Sequence, residues 1–209
     1  MLKPTIMKKI IVHCILIFGL SNSFGQSPFY DITDLDHQAP YEPNSYIKDT
    51  HGYLNLFEGT YIGSQTDNGN TYTVKLVLQK KELNYDYDRF EDLLIGEYEV
   101  QKNGSVVYSS LNKLQINYPN QNSHSFSSNS VFIGKWRCHQ CGPNELHING
   151  GLVESVSESS SIVLIRLIQI NNQPGIEFEL VWRMRGHVEG DPPLPLPSFP
   201  GGTYLMVKQ

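Results

Sequence analysis

The chain has 209 residues, a formal net charge of −5 at pH 7 and 12 tyrosines; its length suits one domain with a single sizeable core. A mildly acidic chain without a basic cluster has no electrostatic reason to hold nucleic acid or to be drawn to anionic lipid. Frequent Tyr, Gly and Asn favour strands and tight turns over helices.

Lys3, Lys8 and Lys9 form a basic leader, Ile10 to Leu20 is mostly apolar, and Ser21-Asn22-Ser23-Phe24-Gly25 supplies small residues. That order reads as a secretory signal peptide over residues 1–25, and its apolar run is too short to span a bilayer. Cleavage is expected before Gln26, Met7 serves equally well as the start, and Cys14 leaves with the leader. Losing three lysines and no acid takes the net charge from −5 to −8. The processed protein is expected to be secreted or periplasmic, with no membrane span.

Residues 26–48 form an irregular arm in which Pro28, Pro40 and Pro43 block regular structure. Residues 49–209 form the β domain. At its start Asp49 or Thr50 is placed to cap one helical turn carrying Tyr53, Leu54 and Phe57. The period then changes to two. Tyr72, Val74, Leu76 and Leu78 alternate with Thr73, Lys75 and Gln79; Leu94, Gly96, Tyr98 and Val100 with Ile95, Glu97 and Glu99; Ile176, Phe178, Leu180, Trp182 and Met184 with Glu177, Glu179, Arg183 and Arg185. Such alternation marks half-buried strands with one wet face. The apolar sets are expected to share one interior, and the same-face acids to be a solvated exterior. Asn68-Gly69 and Asn103-Gly104 suit tight hairpins, and the segment from Asn171 to Gly175 joins the two strongest late strands.

About nine or ten strands follow, with no helical pattern long enough for a crossover. The fold class is therefore all-β: a single antiparallel meander, barrel-like or sandwich. Ser123 to Ser130 reads as a mobile loop. Asp191 to Gly202, rich in proline, reads as a stiff connector to a final strand, Tyr204 to Lys208. Phe57-Glu58-Gly59-Thr60-Tyr61 and Phe132-Ile133-Gly134-Lys135-Trp136 share a Phe-x-Gly-x-aromatic echo, which strand starts explain through close packing at Gly.

Cys138-His139-Gln140-Cys141 is the one constellation that suggests reactivity. In an oxidising compartment the two thiols are expected to form a disulfide. A metal reading with His139 or His147 lacks the second ligand pair of structural zinc. Redox catalysis lacks a helix to activate the first thiol, and haem attachment lacks His after the second Cys, where Gly142 stands. No Gly-x-Ser-x-Gly elbow and no phosphate-binding glycine loop occur.

Tyr46-Ile47-Lys48-Asp49, the block from Tyr53 to Tyr61 and the block from Phe90 to Tyr98 resemble a family of exported Bacteroidota proteins classified as a domain of unknown function. Asn103-Gly104 and the Pro-rich run into a Leu-x-Val-Lys end fit it too. The resemblance covers most of residues 46–208 and implies a small secreted β-domain, with no catalytic residues to carry over. Tyr61 stands where the Gly-x-Trp opening of lipocalins has Trp, which sets this block apart from that opening.

The expected function is that of an exported, non-enzymatic binding module for a small ligand, glycan or protein partner. Tyr53, Phe57, Trp136 and Trp182 are its candidate binding residues, and no cofactor, metal or catalytic residue is indicated. The alternative is a hydrolase acting on envelope or extracellular polymers.

Overall fold

The computed structural model describes residues 28–34, 42–154, 157, 159–183 and 195–209; the leader and its cleavage point lie outside them. The elements are β1 (Phe29–Asp31), β2 (Tyr46–Lys48), α1 (Tyr53–Phe57), β3 (Gly59–Asp67), β4 (Asn70–Asp86), β5 (Arg89–Lys102), β6 (Ser105–Ser109), β7 (Phe126–Ser128), β8 (Val131–Ile133), β9 (Leu146–Glu154), β10 (Ser159–Ile170), β11 (Gln173–Arg183) and β12 (Gly202–Lys208). Eight of them close a barrel in the order β5-β4-β3-β12-β11-β10-β9-β7, with β7 returning to β5. All ladders around this ring are antiparallel. The fold is thus the barrel form of the expected all-β class.

Turn chemistry sets the register. Asn68 and Gly69 join β3 to β4, Asn103 and Gly104 join β5 to β6, and Asn171 and Asn172 join β10 to β11, every one at positive φ. These two-residue turns twist in the sense of the strands they connect.

The expected inward set is buried. Val74, Leu76, Leu78, Leu94, Tyr98, Val100, Phe178 and Leu180 belong to one core, and Tyr72 and Trp182 pack against its margin. Each end of the barrel receives a plug. At the end where β3 begins, α1 inserts Leu54 and Phe57, both 0% exposed. Asp49 caps it as expected: one carboxylate oxygen accepts from Tyr53 N (2.8 Å) and the other from Leu54 N (3.0 Å). At the opposite end the described part of the Pro-rich segment brings in Phe199, whose ring meets those of Tyr98, Trp182 and Tyr204 edge-on. Glu154 secures it, accepting from Ser198 N at 3.0 Å and from Tyr98 Oη at 3.2 Å. The connector is therefore also a stopper.

Several expectations need correction. Residues 123–130 are not simply a loop: they contain β7, which closes the barrel by pairing with Leu94–Gly96 on one side and with Leu152 and Gly151 on the other. Its Phe126 fills space that two glycines leave, since a Cβ on Gly150 would lie 2.6 Å from the Phe126 ring and one on Gly96 3.2 Å from Phe126 Cβ.

Glu97 is not solvated. It is 0% exposed, as are Leu93 and Ile95 on the same face of β5, and the chain after β6 returns over Glu97. His124 Nδ1 lies 2.9 Å from Glu97 Oε1, and Ser125 N donates to the same oxygen at 3.1 Å. Glu177, by contrast, lies on the outer face as expected, paired with Arg166.

Among the described residues the strand count rises to twelve, because β1, β2, β7 and β8 have three residues each, too few to carry a period; β1 and β2 lie in the arm expected to be irregular, β1 pairing in parallel with β2 and β2 with β5. The aromatic echo has no structural counterpart either: Phe57 ends a helix before β3, whereas Phe132 lies in β8 and Trp136 in the turn after it.

Candidate functional site

The outer wall of β9, β10 and β11 presents rows of side chains fixed by register. His147, Arg166 and Glu177 form one row, Asn149, Leu164 and Glu179 the next, and Gly151, Ile162 and Val181 a third. The loop between β8 and β9, residues 134–145, lies over this wall and is tied down at several points. Arg166 bridges Glu177 (2.6 Å) and Glu145 (2.8 Å), Gln140 Nε2 donates to Glu179 Oε2 (3.2 Å), and His147 Nε2 meets the Trp136 carbonyl at 2.7 Å.

At the base of the loop Cys138 and Cys141 form the expected disulfide, with each cysteine 1% exposed. His147, 0% exposed, stacks on Phe132 with ring centroids 5.5 Å apart. Burial pushes its imidazole below the ordinary 6.5, while the carbonyls of Trp136 and Glu145 pull the other way. The ring is held neutral, as a Nε2–H donor whose buried Nδ1 makes no hydrogen bond.

Two recesses flank the loop and share Arg137, Asn149 and Ile162. One, about 330 Å³, is lined also by Asn122, Ser127, Ser128, Asn129, Gly150 and Gly151. The other, about 250 Å³, adds His139, Gln140, Leu164, Glu179 and Val181. Together they make a groove with an aliphatic side, Ile162, Leu164 and Val181, and an amide-rich rim.

Its parts are positioned from several directions. Arg137 sits at φ 57°, a left-handed conformation that costs a non-glycine residue roughly 1–2 kcal/mol. Asn122 and Asn129 are aimed by Glu91, a carboxylate with 0% exposure that accepts from both amides at 2.9 and 2.7 Å. Gly151 forms open floor, since nothing lies within 4 Å of where its Cβ would be. Asn149 Nδ2 is buried without a hydrogen-bond partner, an arrangement that costs on the order of 1–3 kcal/mol unless something fills it.

The candidate aromatics named from sequence occupy separate places. Tyr53, half-buried and stacked on His51, shares α1 with the fully buried Phe57. Trp182 stands at the other barrel end, donating Nε1–H to the Phe199 carbonyl at 3.0 Å. Trp136 is 55% exposed on the loop. Sequence reasoning passed over Arg137, Asn149 and Gly151. The one available signal was the Gly150-Gly151 pair inside a strand, where a missing side chain marks close approach by another group.

By architecture this is a closed antiparallel β-barrel with plugged ends and a polar groove on its outer wall. The chain belongs to a family of unknown function, DUF6705, whose model matches residues 7–209. No curated protein and no solved structure matches it.

Proposed function

We propose that the protein is an exported binding module that takes a glycan on the outer wall of its barrel, beneath the loop of residues 134–145. The lining shared by the two recesses, in which Arg137 and Asn149 stand beside the aliphatic Ile162, carries this reading. A sugar offers vicinal hydroxyls that suit amide and guanidinium groups such as those of Asn129 and Arg137, and a C–H face that suits Ile162 and Val181. The barrel interior is the less favoured seat, because its aromatic and aliphatic side chains pack on one another and both ends carry plugs. The basic and apolar leader and the disulfide support export. Intact mass of protein recovered outside the cytoplasm should begin at Gln26; a species keeping Lys8 and Lys9 would contradict export.

An array of neutral and acidic oligosaccharides tests the ligand class. At least one neutral oligosaccharide should be retained, and Arg137→Ala and Gly151→Leu should each weaken that binding more than about tenfold at unchanged melting temperature. Leucine at 151 enters open space and blocks the floor. Binding that survives Gly151→Leu, or an array that retains nothing, would overturn the assignment.

A further inference from the structure

The loop that overhangs the groove also holds a group of atoms that the disulfide alone does not explain. A ring nitrogen of His147 and the two sulfurs of Cys138 and Cys141 all lie within 4.8 Å of one another, and all three residues are buried. His147 Nε2 is committed to the Trp136 carbonyl at 2.7 Å, which leaves Nδ1 as an unprotonated, unpartnered nitrogen in a fully buried side chain. A histidine that ligates a metal through one nitrogen characteristically donates the other N–H to a backbone carbonyl or carboxylate. A Cys-x-x-Cys turn is likewise a common half of a zinc site, and here the Cys141 N–H to Cys138 carbonyl bond (3.2 Å) closes that turn.

We infer that the thiol form of the protein binds one thiophilic divalent cation, of the zinc class, through Cys138 Sγ, Cys141 Sγ and His147 Nδ1. The thiol form is the state before the disulfide is made, and a dithiol reductant regenerates it. In that exchange the S–S bond accepts two electrons and two protons, and the reductant leaves as its own disulfide. The cation then displaces both thiol protons to solvent. Two thiolates balance its charge and neutral His147 adds none, so the buried complex is electrically neutral, which limits the desolvation penalty. Among the described residues no further His, Cys, Asp or Glu joins the group, so a three-ligand site with a fourth position for water is the coordination expected. The base of the site is independent of the S–S bond: His147 is fixed on β9 by the Phe132 stack, and the Arg166–Glu145 pair holds the loop.

The whole processed chain, reduced with a phosphine and desalted without oxygen, is titrated with Co²⁺ and then Zn²⁺. One equivalent should give the visible bands of tetrahedral cobalt and a thiolate charge-transfer band, both abolished by one equivalent of zinc, with the far-UV strand signal unchanged. The oxidised chain should give neither band. His147→Gln, in which the thiols remain, should weaken cobalt binding more than about tenfold. Cys138→Ser with Cys141→Ser, which keeps the loop length, should abolish it. The proposal fails if reduced, folded protein leaves cobalt unbound, if His147→Gln binds as tightly as the parent, or if binding appears only with loss of the strand signal.

Discussion

Gly150 and Gly151 are neighbours with opposite surroundings. A methyl group on Gly150 would meet the Phe126 ring at 2.6 Å and the Ser127 carbonyl at 2.8 Å, while one on Gly151 would meet nothing. Ser127 is backbone at that contact and cannot turn aside, so Gly150→Ala should cost about 1–3 kcal/mol, whereas Gly151→Ala should stay within about 0.5 kcal/mol of the parent. Phe126→Ala, which empties the space that Gly150 and Gly96 border, should cost about 3–5 kcal/mol. Denaturant unfolding of the three variants checks the order; equal losses at 150 and 151 would refute the packing argument. The same residue pair marks the limit of what sequence reveals. Two glycines in a strand announce close approach, but which one faces a ring and which faces solvent depends on a partner strand and a loop distant in the chain.

At the scale of elements, α1 is held by an acid outside it. Asp49 is buried, accepts two helix N–H groups and lies 3.3 Å from Lys80 Nζ, a cation with 11% side-chain exposure that also reaches Glu82 and Asp92. Those carboxylates hold the Lys80 ammonium above its ordinary range against the opposing effect of burial. Asp49→Ala removes the cap and one partner of the lysine together and should cost about 2 kcal/mol, with Asp49→Asn recovering part of it through the cap. Thermal unfolding of the pair decides; an Asn variant no better than Ala would mean that charge, not capping, dominates.

This helix was legible because capping is a local rule, and so were the long strands, where five or more alternating residues fix a face. Strand β7 was not, since three residues with a single apolar side chain look like any Ser-rich loop. Strand β5 misled differently: Leu93 and Ile95 face outward yet are 0% exposed, and the unbroken apolar run Leu93-Leu94-Ile95 was the local hint that both faces are covered. The disulfide needed only two residues near in sequence. The groove draws on β7, β9, β10, β11 and three connecting segments, and no local pattern announces such a meeting.

For the whole molecule, buried phenols couple folding to alkaline pH. Burial pushes Tyr61 up to about 12 and moves Tyr46, Tyr98 and Tyr204 upward as well, with Asp92 adding to Tyr46 and Glu154 to Tyr98. A tyrosine raised in the fold favours the native state fully below its unfolded value near 10, and that contribution disappears as pH rises through the folded value. Stability should therefore be insensitive to these groups at neutral pH and fall steadily from about pH 10 upward. Phenolate absorbance should show a cooperative step coincident with loss of the far-UV signal; a smooth titration completed while the strands persist would contradict the buried placement.

The closing strand has one more consequence, which concerns breathing. Around most of the ring adjacent strands share long ladders, but at β7 the circuit is completed by three residue pairs on one side and two on the other. Local opening should be cheapest where the fewest bonds and the least apolar surface are released, which makes this junction the weakest link of the wall. The groove lies directly across it: Ser127 and Ser128 come from one side, and Asn149, Gly150 and Gly151 from the other. A ligand seated there clasps both sides and binds only the shut form. By mass action such an occupant at a hundred times its dissociation constant adds about 2.7 kcal/mol against opening. On the glycan proposal, the seam makes the barrel a reporter of occupancy, fastened by whatever fills the groove.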